Sequence, residues 1–471
     1  MASATSRRDP PLKSTADIEK VAVPEKEAAL VHQDEAPEDA SSSSYFLNAD
    51  AERRLLWKLD SKILPASMFI YLLCYVDRFN IGNARILNND TGHSLVQTLQ
   101  LTDRQYRIAL LVFFTAYAVF ETPSNYMLKK YKPSRWLAFL MLMWGIITMT
   151  VAATRNYGTL VALRFLLGVF EAGLFPGIVY CLTFWYKPNE RALRIALIVG
   201  CATLGGAFGG ALAYGVGQLD GVRGLEAWCW LFLIEGAPSC HAERALATGR
   251  IRGVASLGHA ALTWADARAT LADGRLYAHY ALATAFSVGF ASLSQFGATI
   301  VQGLGYAGLA AQLFTVPPYA VGFAVCVAVA WAADRCEMRG LGTALAFAVC
   351  GVAFLIEAVL PPDAFAARYG VLCVALPFAF AISAPSLSWL TANLRSTGAA
   401  TLAVPLDISI STVGQIVGTF IYKSSEAPAF PTGHYTNAGC MFAGALFSLG
   451  LRALYVRRNR ALGPGEPRWR L

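Results

Sequence analysis

The stretch SKILPASMFIYLLCYVDRFNI, residues 61–81, combines an apolar run with an adjacent acid and base, Asp77 and Arg78, in its far half. An α-helix rises 1.5 Å per residue, so about 20 residues cross the roughly 30 Å hydrocarbon core of a bilayer. Residues 61–81 therefore read as a membrane span. Further blocks follow at about 106–128, 134–153, 159–182, 192–216 and 227–237. After a hydrophilic stretch they resume at about 277–303, 311–332, 341–360, 370–391, 398–421 and 435–456. The pattern predicts an all-α polytopic membrane protein, with six blocks, a gap and six more.

Composition agrees. Of 471 residues, 55% are hydrophobic and 15% charged, where a soluble domain carries about 25% charged residues. The net charge of +8 could suggest nucleic acid, but the cations flank apolar blocks. Membrane orientation explains them better, and no nucleic-acid partner is expected. The ten cysteines form no C-x-x-C pair, so no metal site or disulfide framework is predicted. There is no HExxH, Walker motif, dinucleotide fingerprint or nucleophile elbow, which argues against an enzyme.

Five regions follow. Residues 1–50 are polar, with a Ser41–Ser44 run, and read as a disordered cytoplasmic tail. Residues 51–238 form an N-terminal bundle, 239–275 a central cytoplasmic loop, 276–457 a C-terminal bundle and 458–471 a second tail. Arg53, Arg54 and Lys58 precede the first span; Lys129, Lys130, Lys132 and Arg135 fill the second loop; Arg452, Arg457, Arg458 and Arg460 follow the last span. Alternate loops are poorer in basic residues, which puts both termini in the cytoplasm, with the plasma membrane as the expected location. The sequon at Asn89, Asn89-Asp90-Thr91, falls in a loop expected outside and is a candidate glycosylation site. Two bundles around a central loop suit a repeated transporter whose site lies between its halves.

Charges inside apolar blocks point to that site, because an ionised side chain at the bilayer centre costs about 2.5–3.5 kcal/mol on insertion scales. Asp77 and Arg78 lie in the first span. Arg164 and Glu171 lie in the fourth, nearly two helical turns apart and on one face. Buried acids next to cations can exchange protons, and a guanidinium can grip a carboxylate through two hydrogen bonds. Two plainer readings stand beside this one. The neighbours could merely neutralise one another, or Asp77 and Arg78 could sit solvated at the interface. Weaker candidates are Glu121, which could border a loop, Glu235 in the short sixth block, and Glu357 and Asp407, which could be interfacial, while His279 reads as a solvated helix end. Gln295 and Asn393 could hydrogen-bond a substrate or simply another helix. Gly205, Gly206, Gly209 and Gly210 allow close packing of the fifth span, either sliding or static.

With these residues in view, the chain resembles the major facilitator superfamily. More narrowly, it resembles the fungal anion:cation symporters that include allantoate, nicotinate and pantothenate permeases. The resemblance rests on Asp77-Arg78-Phe79-Asn80-Ile81-Gly82-Asn83-Ala84, on Pro123-Ser124-Asn125 with its basic loop, and on Arg164 through Pro176-Gly177. Trp228 through Gly236, Trp389 through Asn393 and Pro431-Thr432-Gly433-His434 extend it over about 50–460. It implies two six-helix bundles, alternating access, and uptake of a small organic anion driven by the proton gradient without a cofactor. It assigns proton coupling to Asp77 and Glu171. Substrate contact falls to Arg78, Arg164 and Asn393, with Gln295 as a further candidate. Asn125, Lys129 and Lys130, echoed by Asp334 and Arg335 in the second half, would form gating loops. The lipid bilayer and the anion are the expected partners, and the chain is expected to act as a monomer.

The sixth block departs from this pattern. It is apolar only from Ala227 to Pro238, about 18 Å of helix, and then passes into loop-like sequence from Ala242. About 20–30 residues are missing near 238–242, judged by the length a span needs. An alternatively spliced product or a faulty gene model accounts for this more readily than a genuinely short helix. The competing functions are therefore a ligand sensor on a transporter-like body and a transport-incompetent variant.

Overall fold

The structure, a computed structural model, describes residues 38–131, 133–186, 188–248, 264–306, 308–394, 397–463, 466 and 468–471. Contacts divide the chain into residues 1–58 and 59–471, and the membrane bundle lies in the second. Among the described residues every regular element is helical. Eleven spans among the described residues are long and apolar enough to cross a membrane, and ten of them correspond to the expected blocks outside the first span. The first helix, Glu38–Ile86, starts ahead of the boundary read from composition at residue 50. A polar segment can extend an existing helix because propagation costs far less than nucleation. The rest of the expected tail, residues 1–37, lies outside the described residues.

Local chemistry fixes where spans begin and break. Thr102 caps the second span, Asp103–Lys130, by accepting a hydrogen bond from the Gln105 amide while the Gln105 side chain accepts one from the Thr102 amide at 2.9 Å. This reciprocal cap satisfies two otherwise orphaned donors. The fourth span is two helices, Tyr157–Glu171 and Leu174–Trp185, parted ahead of Pro176. The tenth is likewise split into Phe365–Ala381 and Ser383–Ala392, close to Pro385. Proline removes an amide donor and clashes with the preceding turn, so helices part around it.

The sixth block forms one helix, Ala227–Thr248, packed on the third span, Pro133–Val151. Its apolar residues end near Pro238, and it is not among the eleven spans found among the described residues. Part of the expected central loop is helical as well, at Trp264–Leu271.

Within each half, the second span packs on the fourth and the ninth on the twelfth. The halves meet along the fifth and eighth spans and along the second and eleventh. The fifth span, within Pro188–Val216, threads this seam on glycine: a Cβ at Gly205 would lie 2.7 Å from Tyr75 Cβ, and one at Gly206 2.5 Å from the Tyr319 ring. These contacts favour the static, close-packed reading of the glycines.

Candidate functional site

Between the halves lies a cavity of about 100 Å³, lined from the first span by Tyr71, Cys74, Tyr75 and Arg78. The spacing i, i+4, i+7 puts Tyr71, Tyr75 and Arg78 on one helix face, a signal present in the sequence. Tyr117 contributes from the second span, Phe286, Ser287 and Phe290 from the seventh, Phe380, Ser383 and Ser386 from the tenth, and Asp407, Ser411 and Gln415 from the eleventh. A larger hollow of about 440 Å³ between the ninth and tenth spans is lined by Ala, Val, Ile and Gly only. It holds no group that could orient a polar ligand, so the central cavity is the candidate site.

Arg78 is the only cationic side chain on this cavity wall among the described residues. Its Nε donates to Glu171 Oε1 at 3.0 Å, and its Nη2 forms an ion pair with the same oxygen. Nη1 donates to the Tyr75 hydroxyl at 3.2 Å. The guanidinium carbon lies 4.8 Å from the Tyr75 ring centre and 5.0 Å from that of Tyr117, a favourable cation–π arrangement. Cys74 Sγ also donates to Glu171 Oε1, at 3.2 Å. Both members of the pair are buried, so the interfacial, solvated reading of Arg78 does not hold.

The pairing differs from either neutralisation read from the sequence. Arg78 takes Glu171 from another helix and leaves Asp77 and Arg164 over. Asp77 points the other way along its helix, where its Oδ2 accepts a hydrogen bond from Thr148 at 3.1 Å. Its Oδ1 is buried without a hydrogen-bond partner. Arg164 is 2% exposed, with Nε and Nη2 unpartnered, and lies within Coulombic reach of Asp77 and Glu171. Glu235 is buried in the same half, with both oxygens unpartnered. Asp77, Arg164 and Glu235 are therefore an interior polar cluster of the first half, off the cavity wall.

The remaining candidates spread out. Gln295 is buried at the seam between halves, its Nε2 donating to the Arg78 carbonyl at 3.4 Å. Nearby, Gln312 Nε2 donates to the Asn83 carbonyl at 3.1 Å and Arg85 Nη2 to Ser424 Oγ at 3.1 Å. These bonds tie the halves together between the cavity and the face that carries Asn89. The partly exposed cavity residues Phe175, Phe286, Ser383, Ser386 and Ile408 all lie toward the opposite, basic face.

Asn393 follows the tenth span and does not line the cavity. It holds a strap formed by residues 468–471: its Oδ1 accepts from the Arg470 amide at 2.9 Å and its Nδ2 donates to the Arg470 carbonyl at 3.1 Å. Asn459 does the same for Trp469, at 2.8 Å in both directions. Two neighbouring residues gripped from two sides is the geometry of an extended strand. Trp469 is buried, with the Arg275 guanidinium 3.9 Å from its ring centre and Tyr455 stacked on it. Nothing in the sequence signals this strap.

Asn125 is buried, Lys130 and Arg335 are exposed, and the side chains of Lys129 and Asp334 lie outside the described residues. Asn89 is exposed in a short turn, Asn89–Thr91. His279 is buried, its Nε2 3.2 Å from the Tyr455 hydroxyl, instead of solvated. Glu357 is buried and paired with Arg368 at 3.3 Å. Glu121 sits inside the second helix, accepting a hydrogen bond from Ser409 of the other half at 3.1 Å. His279, Glu357 and Glu121 thus meet partners from distant segments, which helix periodicity alone does not reveal.

Comparison with known proteins adds the lineage. The model of the Major Facilitator Superfamily matches residues 67–419. The chain is 49% identical over 438 residues to "MFS transporter prlL" of Fungal sp. (strain NRRL 50135), covering 88% of each chain. Those 438 positions exceed what 88% of a 471-residue chain supplies, so the relative has residues without a counterpart here. A "Putative tartrate transporter" of Agrobacterium vitis is 38% identical over 194 residues, 41% of this chain and 43% of that one. Among solved structures, a bacterial homolog of the human lysosomal transporter Spinster, inward-facing and unoccupied, superposes with a TM-score of 0.59 at 18% identity. That match covers 86% of this chain and 99% of the other.

Proposed function

The chain belongs to the Major Facilitator Superfamily, and we propose that it is a proton-coupled secondary transporter taking up a small organic anion. The observation that carries this reading is the buried Arg78–Glu171 pair on the wall of the central cavity. While Glu171 is ionised, it occupies the one cation on that wall. Once Glu171 accepts a proton, the guanidinium is left without its counter-ion in a low-dielectric setting, where a substrate carboxylate replaces it. Proton and anion then enter together, because each lowers the cost of the other. With proton and anion both bound the site is again net neutral, which favours rocking of the halves about it, the motion that exposes it alternately to the two faces.

Asp77 would serve as a second proton acceptor, held near Arg164 and away from the substrate. Arg164 would tune Asp77 and Glu171, and Gln295 would govern closure of the seam. The basic loops support placing both termini in the cytoplasm, and the membrane proposed is the plasma membrane. The relative named a tartrate transporter supports a carboxylate cargo.

The test is uptake of a labelled carboxylate panel, nicotinate, pantothenate and allantoate included, at acid and neutral pH. Glu171→Gln is expected to keep anion exchange and lose accumulation, and Arg78→Ala to lose both. Accumulation by Glu171→Gln against a gradient, or uptake indifferent to the proton gradient, overturns the reading.

The sixth helix favours a second reading, a splice or gene-model variant unable to transport. The polar second half of Ala227–Thr248 and the unmatched residues of the 49% identical relative support it. Sequencing the transcript across codons 230–245 decides between them, since an apolar insert there identifies this chain as the shortened form.

A further inference from the structure

The cavity that faces Arg78 from one half meets a second charge from the other. Asp407 of the eleventh span lines the same cavity, is 8% exposed, and has an Oδ1 without a hydrogen-bond partner. No described arginine, lysine or histidine pairs with it. The groups around it do not supply a counter-ion. Tyr280 faces it from the seventh span and Glu121 from the second, the latter engaged with Ser409. Arg78 of the first span is committed to Glu171, and Arg268 on the neighbouring Trp264–Leu271 helix is exposed. The cavity floor between Arg78 and Asp407 is aromatic and hydroxylic, with Phe290, Phe380 and Ser411.

Resting on the reading that this cavity binds a carboxylate, we infer that the cargo is an amino-carboxylate, whose ammonium meets Asp407 while its carboxylate meets Arg78. With Glu171 protonated, the cavity holds one positive wall and one negative wall on opposite halves. A plain anion satisfies the first and leaves Asp407 without a counter-ion, either ionised at a cost of several kcal/mol inside a protein or neutralised by a proton. A molecule with an ammonium at its far end satisfies both. Its apolar body packs between aromatic rings, whose faces also attract the cation. The two walls belong to different halves, so such a cargo bridges the seam and draws it shut, whereas a monopolar anion grips one half only. Transport of a zwitterion with one proton also moves one net positive charge, whereas an anion with one proton moves none.

The test uses the purified full chain, with 4-(aminomethyl)benzoate and 4-methylbenzoate, which differ by the ammonium alone, and 4-methylbenzylamine, which lacks the carboxylate. Wild type is expected to bind the amino-carboxylate at least about tenfold more tightly than 4-methylbenzoate, in line with one added ionic contact. Asp407→Asn should erase that ratio, and Asp407→Glu should restore most of it. In proteoliposomes, uptake of the amino-carboxylate should rise with an inside-negative potential. Equal binding of the two carboxylates by wild type overturns this proposal and leaves the carboxylate reading standing. Binding of 4-methylbenzylamine as tight as that of the amino-carboxylate overturns the carboxylate reading itself. Failure of all three to bind wild type overturns both. The wild-type ratio decides even if the Asp407 variants fail to fold.

Discussion

Arg78 and Glu171, 93 positions apart, are joined through two guanidinium nitrogens on a single carboxylate oxygen. The other oxygen, Oε2, is buried without a partner. The carboxylate thus keeps one oxygen on the cation and one in reserve, a layout suited to accepting a proton without first breaking the contact.

The pair should be strongly coupled in stability. Removing one member of a buried ion pair costs about 3–5 kcal/mol because the survivor stays buried and charged. Arg78→Ala should therefore lower the thermal midpoint more than Arg78→Ala/Glu171→Ala does. A double variant as unstable as the sum of the singles would rule out that coupling.

A pH-dependent clip joins two loops on the Asn89 face. His93 Nδ1 lies 2.6 Å from Asp220 Oδ2. The hydrogen bond to Asp220, then its charge, hold His93 above its ordinary 6.5. At Asp220, burial pushes the carboxyl up, but the hydrogen bonds from His93 and the Ala227 amide outweigh it and hold it low. A raised histidine gives its full contribution below its unfolded value and loses it as pH climbs through the folded one. Amide exchange in residues 88–94, corrected for intrinsic rates, should be slower at pH 6 than at pH 8.5, and His93→Gln should remove the difference. Equal protection at both pH values in the unsubstituted chain would refute the clip.

The strap should order the second half of the tenth span. Asn393→Ala and Asn459→Ala each delete two hydrogen bonds to the strap, worth about 1 kcal/mol apiece. Hydrogen exchange across 383–393 should quicken in Asn393→Ala, and Trp469 fluorescence should shift toward that of solvated tryptophan in both. An unchanged Trp469 spectrum in both would show that the strap does not depend on these side chains.

The fifth span has no room to grow. Gly206→Ala would put a methyl group against three atoms of the Tyr319 ring, whose hydroxyl donates to the Leu293 carbonyl at 3.1 Å. Overpacking of this kind costs about 1–3 kcal/mol. Tyr319→Leu in the same chain should recover part of the loss in melting temperature.

Much of this architecture is legible in the sequence, because bilayer thickness imposes block length and every block but the sixth is long enough to count. The burial of Arg164 and Glu171 on one face follows from their spacing. What did not follow is who meets whom. Asp77 and Arg78 are adjacent, yet successive helical residues point about 100° apart, so one joined Thr148 and the other Glu171. Asp407 looked like a border residue, and only its packing against another half shows that it faces the cavity. Asn393 looked like a substrate ligand because polar groups on apolar helices draw that reading, but its amide is spent on the Arg470 backbone.

The helix Ala227–Thr248 has a consequence for the lipid around it. Its 22 residues rise about 33 Å, but its sequence is apolar only as far as Pro238, with His241, Glu243 and Arg244 beyond. A bilayer meets such a mismatch by thinning locally and letting headgroups and water sink beside the helix. The chain should therefore be most stable in short-chain phospholipids and lose stability stepwise as acyl length grows. Thermal unfolding in vesicles of 14-, 16- and 18-carbon lipids would show that trend, and a flat response would mean that the polar half is screened by protein.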